Sequence, residues 1–486
     1  MNTKSILLFI LFFAAGNMIA QNFSVNDLYN NYEQFKENSL TTKRFKHADI
    51  LPLIEKIAKQ KYFKVERLGY SVEKRSINML KIGNGKTVVL AWSQMHGDEP
   101  TATMALFDLF NFFSDTTQFK AFKSELLQNL TIYFVPMLNP DGVERFTRRN
   151  ALKIDLNRDA LRLQSPESRI LKRLQKRLKP VFGFNLHDQG YLNSVGKTFK
   201  SATISVLLPA FNFDKDINDV RSQGMKVIVD MFKNLSAFIP GHIGKYDDSF
   251  EPRAFGDNLV KWGTSSILIE SGGWKNDFEK QFVRKMNFIA ILSAFNSISS
   301  NSYNNNNVED YFSIPDNDNY LFDLIIRNIK TKIKDTTIVL DLGINRFENT
   351  DKDRTPYFRS NITEIGDLST FYGNEDYCFD SLQVKPGLVY PTVFENLDDL
   401  TNVDFENLLA SGYLYVKVKN IIDSLKFTKF PINIVSPAFQ APTEISLGVM
   451  PNFIILDTDG IRYCVVNGFL YDNLSKKSYI YNGLIL

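Results

Sequence analysis

Short apolar runs alternate with helix-like stretches along the first two-thirds of this chain, and two of its four histidines fall where such runs end. Residues 87–92, 130–135, 181–186, 203–208 and 265–269 each read as a buried strand. Between them lie segments with apolar residues at helical spacing. One opens at Pro100 and continues through Leu106, Leu109 and Phe113, and another opens at Ser165-Pro166-Glu167. Further helices are expected over 217–235 and 277–295. This alternation calls for an α/β domain with a mixed, mostly parallel sheet covered by helices on both faces. Upstream, residues 22–59 read as mostly helical with a break near Pro52. Residues 63–81 alternate in the manner of strands and run into Gly83-Asn84-Gly85, a hairpin-like turn.

The extreme N-terminus reads as a separate element. Lys4 precedes an apolar run over residues 6–15, and Gly16 to Ala20 offers a small-residue exit ending before Gln21. This is the pattern of a secretory signal peptide over residues 1–20. The run is too short to span a bilayer, which takes roughly 20 apolar residues. A secreted or periplasmic location is therefore expected, with no transmembrane segment once the signal is removed. A net charge of +3 does not suggest nucleic acid as a partner.

Hydrophobic residues make up 44% of the 486, enough for more than one core. The polar stretch 299–307 (Ser-Ser-Asn-Ser-Tyr-Asn-Asn-Asn-Asn) is read as a linker. It separates a domain over residues 21–300 from a smaller β-rich accessory domain over 308–486. In the latter, short β-type runs at 336–342, 387–393, 413–418, 431–435, 453–456 and 461–466 suggest a sandwich. The two cysteines, Cys378 and Cys464, lie in this second part; a disulfide and two buried thiols are equally compatible with the sequence.

The chemistry concentrates in the first part. His96 and Glu99 stand three apart in Met95-His96-Gly97-Asp98-Glu99-Pro100, and His187 lies in Phe184-Asn185-Leu186-His187-Asp188. Two imidazoles and one carboxylate are a ligand set of catalytic zinc, with one coordination position left for water. Strand ends are where α/β folds place their sites. Asn139-Pro140-Asp141-Gly142 follows another strand, and Arg145, Arg148, Arg149 and Asp155-Leu156-Asn157-Arg158 come next. Glu270 ends the late strand 265–269.

Taken together and in this order, His-x-x-Glu, Asn-Pro-Asp-Gly, Arg-x-Asn, Asp-Leu-Asn-Arg, the second histidine and the late glutamate resemble the M14 zinc carboxypeptidases. The resemblance covers roughly residues 45–298. The Gly-Asp-Glu form of the first motif looks like bacterial branches of the family, including murein peptide amidases. The resemblance implies one Zn²⁺ per chain, held by His96, Glu99 and His187. It implies Glu270 as the general base and Arg148 as the cation facing the developing oxyanion, with Arg145 and Arg149 close enough to exchange with it. It implies Asn157 and Arg158 as the pair that holds a substrate carboxylate, and Asp155 as the group that orients the His96 ring.

Some positions depart from the family pattern. The loop before the Glu270 strand offers Tyr246 or Phe255 where pancreatic-type members carry a mobile tyrosine. Asp188 follows the third ligand where many members have a small residue. Glu251 and Arg253 add charge to the same loop. The expectation is a zinc-dependent metallocarboxypeptidase acting on peptides or muropeptides. Two alternatives stand beside it: an amidohydrolase acting on diaminopimelate-containing wall peptides or N-acyl amino acids, and a non-catalytic binding protein. The oligomeric state is left open.

Overall fold

Strands that are apolar on both faces take the centre of a sheet, because both faces must be covered. In the computed structural model, which describes residues 24–333, 335–351, 353–422, 425–473, 477–478 and 483–486, those strands do so. In chain order the strands of the first part are β1 (Lys64–Tyr70), β2 (Ser76–Ile82), β3 (Thr87–Trp92), β4 (Leu130–Val135), β5 (Phe182–Asp188), β6 (Ser194–Val195), β7 (Ile204–Leu207), β8 (Ile243–Lys245) and β9 (Ser265–Ser271). All but β6 form one eight-stranded sheet in the order β1-β2-β4-β3-β5-β9-β7-β8. The central strands β4, β3, β5 and β9 are mutually parallel. The β1–β2 and β2–β4 pairs at one side, and the β7–β9 pair at the other, are antiparallel.

Side-chain alternation divides the core in two. Val89 and Ala91 of β3 join one cluster, with the helices Thr101–Ser114, Asp219–Leu235 and Gln281–Ser300. Leu90 and Trp92 join the other, with the helices Pro166–Leu178 and Phe255–Lys261. The sheet is mixed and covered on both faces, as expected from its sequence pattern.

Two local expectations are corrected. Gly83-Asn84-Gly85 does not close a hairpin, because β4 lies between β2 and β3. The hairpin is instead β1–β2, turning through residues 71–75. Pro52 does not break a helix; it sits inside His47–Ala58. The expected signal peptide, residues 1–20, lies outside the described residues.

The stretch 299–307 is packed rather than extended. Tyr303 within it, and Tyr311 and Ile314 after it, are buried in the first core. Asn317–Asp318 (β10) then pairs with β6. Beyond it, β11 (Leu321–Ile333) and β12 (Thr336–Thr350) form a long antiparallel pair, flanked by β13 (Pro356–Gly366) and β14 (Tyr372–Cys378). These belong to a nine-stranded sheet. A three-stranded sheet (Leu388–Asn396, Tyr413–Asn420, Asn433–Val435) packs on it through a shared core, with Tyr415 and Val435 meeting Ile454 and Val466. Cys464 is buried, Cys378 is exposed, and both are free thiols. Among the described residues no helix is long and apolar enough to cross a membrane.

Candidate metal centre and active site

His96 lies four residues beyond the end of β3, in a loop fixed by glycine. A Cβ on Gly97 would come within 2.0 Å of the Gly142 backbone carbon, and one on Gly142 within 2.5 Å of the Asn139 side-chain nitrogen. The two loops therefore touch backbone to backbone. Asn139 ties them further: its Oδ1 accepts from Gly142 N, and its Nδ2 donates to Met95 O and Arg148 O. This is the physical role of Asn-Pro-Asp-Gly. Asp141 holds Ser71, Glu73 and Arg75 and takes no part in the site.

His187 lies inside β5, one residue from its end, and is paired in register with Glu270 of β9. Residues paired across adjacent strands project to the same side of the sheet. His96, Glu99, His187 and Glu270 are all buried.

The first three converge. His96 Nδ1 lies 2.7 Å from Glu99 Oε1, His187 Nδ1 2.6 Å from Glu99 Oε2, and the two Nδ1 atoms 3.1 Å apart. One ligand atom from each residue falls within 4.8 Å of the others. His96 Nε2 sits 3.0 Å from Asp155 Oδ1, an arrangement in which Nε2 donates and Nδ1 turns its lone pair to the cluster. His187 Nε2 is buried with no partner, so Nδ1 is its only engaged nitrogen. Two facing nitrogen lone pairs and a carboxylate fit a Zn²⁺ ion by donor type.

The electrostatics are those of a closely coupled charge cluster. Burial alone would raise the Glu99 carboxyl, but His96 and His187 override it and hold it well below the ordinary carboxylate range. Burial depresses His96, yet the Glu99 charge and the bonds to Asp155 and Glu99 lift it to about 9. Burial pushes the Glu270 carboxyl well up, and the negative charge of Glu99 adds to this.

Arg148 is the arginine at the cluster. Its Nη1 lies 3.2 Å from Glu99 Oε1, and its Nε donates to Asp155 Oδ2 at 3.0 Å. Arg145 is turned to Glu73 and Asp141 O, and Arg149 to Lys153 O. Asn157 receives the Phe255 backbone N–H on Oδ1. Arg158 Nε lies 3.2 Å from Glu251 Oε2, a pairing the sequence motif gives no hint of.

Tyr246 is pushed up to about 12, first by the charge of Glu270 and then by burial. Phe255 is fully buried in the core beside Trp262. Of the two candidates, Tyr246 is therefore the one near Glu270. Asp188 lies 3.3 Å from Lys280 and accepts from Thr101; its charge adds to the upward push on Glu270, which Lys280 opposes. Sequence reading passed over Lys280 because it lies ten residues downstream of Glu270 in no motif.

Residues 50–177 match the model of the Peptidase_M14 family, zinc carboxypeptidase. The carboxypeptidase 2 of Trichophyton tonsurans is 30% identical over 120 residues, 24% of this chain and 20% of that protein. The probable carboxypeptidase 2 of Arthroderma benhamiae is 29% identical over 152 residues, 30% of this chain and 26% of its own length. The match thus spans a fifth to a quarter of these relatives. Among solved structures, a metallo-carboxypeptidase from Burkholderia cenocepacia shares 16% identity, with a TM-score of 0.44 over 53% of this chain and 70% of its own. The likeness to this family is carried by residues 50–177, the stretch that holds His96, Glu99, Arg148, Asn157 and Arg158.

Proposed function

We propose that this protein is a zinc-dependent metallocarboxypeptidase that works outside the cytoplasm and hydrolyses the C-terminal bond of peptides. The observation that carries the reading is the convergence of His96, Glu99 and His187, with Glu270 in register beside His187.

In this reading His96 and His187, through Nδ1, and Glu99 hold one Zn²⁺, with Asp155 fixing the His96 ring. Bound zinc supplies a Lewis acid that polarises the scissile carbonyl and acidifies water. Glu270 takes a proton from water on Oε and passes it to the leaving amine. A carboxyl lifted by burial is suited to exchanging protons near neutral pH. Arg148 directs its guanidinium at the cluster, where a fixed cation stabilises a developing oxyanion. Asn157 and Arg158 receive the substrate carboxylate, with the fork of Arg158 matching its geometry.

The pairing of Arg158 with Glu251 favours a second reading, an amidohydrolase on wall peptides or N-acyl amino acids. With Arg158 already neutralised, a free substrate carboxylate would be a weaker requirement.

The test is product analysis by mass spectrometry. The zinc-loaded protein and Glu270→Gln are incubated with linear peptides, their C-terminally amidated forms and muropeptides. Stepwise loss of C-terminal residues from free-acid peptides only, absent in Glu270→Gln, is expected. Equal cleavage of amidated forms, or cleavage confined to muropeptides, favours the second reading. No cleavage of any substrate by a zinc-loaded chain overturns both.

A further inference from the structure

The metal cluster opens into a cavity of about 640 Å³ whose far wall is built by the β-rich part of the chain. Glu99 and Arg148 line its inner end; Asp323, Arg346, Glu348, Phe358 and Glu375 line the other side. Asn157 and Arg158 are not among its lining residues. If those two take the carboxylate end of a substrate, this cavity receives the portion on the amino-terminal side of the scissile bond.

The two walls are locked together at several points. Tyr191 Oη donates to Asp323 Oδ2 at 2.6 Å and lies 2.6 Å from Arg346 O. Glu348 takes Lys43 at 2.5 Å and Arg44 at 2.7 Å. Lys275 Nζ donates to Asn374 O. Phe278 and Phe358 meet edge to face, with ring centroids 6.0 Å apart. The second wall is therefore a fixed part of the cleft.

The charges on that wall are already paired. Arg346 bonds Glu375 at 2.6 Å, Glu348 holds the two basic residues, and Asp323 holds Tyr191. Aromatic surface is what remains on offer. Phe199 is 66% exposed and Phe278 52%, both at the cavity, although exposed rings of this size normally seek cover. Trp274 and Phe146 extend the same lining. A cavity of this volume is typical of a ligand site, and here its aromatic rings stand among many charged groups.

We infer that the β-rich part of the chain forms the acyl-side wall of the active site, and that the exposed ring of Phe278, backed by the buried Phe358 of that wall, selects peptides carrying an aromatic side chain upstream of the scissile bond. The inference rests on the carboxypeptidase reading for its direction along the substrate.

The test is peptide binding, so that it does not depend on turnover. Zinc-loaded Glu270→Gln is titrated with fluorescein-labelled peptides identical except for Phe, Gly or Asp at the two residues before the scissile bond, and polarisation is read. The Phe peptide is expected to bind about tenfold more tightly than the Gly peptide, as one aromatic side chain leaving water allows. In Phe278→Ala and Phe358→Leu the Phe-to-Gly ratio should fall toward one. Phe278 is exposed, so that variant remains informative even if Phe358→Leu fails to fold. A Phe-to-Gly ratio near one in the parent, or an unchanged ratio in Phe278→Ala, overturns the inference. Hydrolysis by the wild-type chain, followed on the same peptides, separates this from the functional reading. Cleavage without Phe preference sinks the inference alone. Phe-selective binding without cleavage sinks the carboxypeptidase reading alone.

Discussion

His187 and Glu270 are register partners on the adjacent parallel strands β5 and β9. The register sets their separation through backbone hydrogen bonds rather than side-chain contacts. On the proposed reading, a ligand to the metal and a carboxyl that moves protons are thereby mounted on one rigid element. Exchanging Glu270 for Gln preserves that register and the three-ligand cluster. The expected outcome is a fall in kcat of roughly 10² to 10⁴-fold, with zinc content unchanged by atomic absorption. Substantial residual turnover would remove Glu270 from the mechanism.

Glu251 is held down to about 2, first by its bond to Arg253, so it is ionised at every working pH. On the proposed reading it therefore competes with the substrate carboxylate for Arg158. Glu251→Gln should lower KM for free-acid peptides by up to about fivefold, the range open to a partly exposed ion pair. kcat should change little. An unchanged KM would mean that Arg158 does not receive the carboxylate.

Asp257 is pushed up from 3.8 to about 7, chiefly by burial. Between those values the folded chain binds this proton and the unfolded chain does not. Its contribution to stability is therefore present in acid and is lost as pH rises from about 4 to about 7. Asp257→Asn, which imitates the protonated form, should raise Tm by a few degrees at pH 8 and leave it nearly unaltered at pH 4. Equal shifts at both pH values, read by calorimetry, would contradict the assignment.

Asp108 and Arg284 form an ion pair with both side chains fully buried, and Tyr32, Glu37 and Leu40 bond to it. It fastens the segment from Tyr32 to Leu40 onto the helix Gln281–Ser300. Asp108→Ala leaves the Arg284 charge without its partner and should destabilise by about 3–5 kcal/mol in denaturant titration. The paired change to Asp108→Leu with Arg284→Met should recover most of that loss. A double variant as unstable as the single one would point to the hydrogen bonds rather than the charge.

Much of the first part could be read from its sequence because burial on both faces writes long apolar runs. Thr87–Trp92 and Leu130–Val135 match their expected bounds for that reason. The strand at 181–186 runs on to Asp188, since His187 and Asp188 are polar and break the apolar signal although they keep the ladder. The β2-to-β3 turn misled because local turn chemistry says nothing about which strand is inserted between its arms. The long hairpin Leu321–Thr350 was seen only in part. Its polar and apolar residues mix along a sheet that is partly solvated, and that pattern is weak.

At the site, the grouping of His96, Glu99 and His187 with Arg148 beside it was legible because His96, Glu99 and Arg148 sit in short motifs and His187 follows an apolar run. The Glu251–Arg158 pair and the second wall of the cleft were not. They depend on where distant segments are brought, and no local spacing encodes that.

The backbone contact between Gly97 and Gly142 has a consequence for anyone rebuilding this protein. The loop that carries His96 and Glu99 and the loop that leads to Arg148 are one mechanical part made of two stretches of chain. Neither can be lengthened, grafted or diversified alone, and a library that varies one of them will sample only the shapes the other already permits.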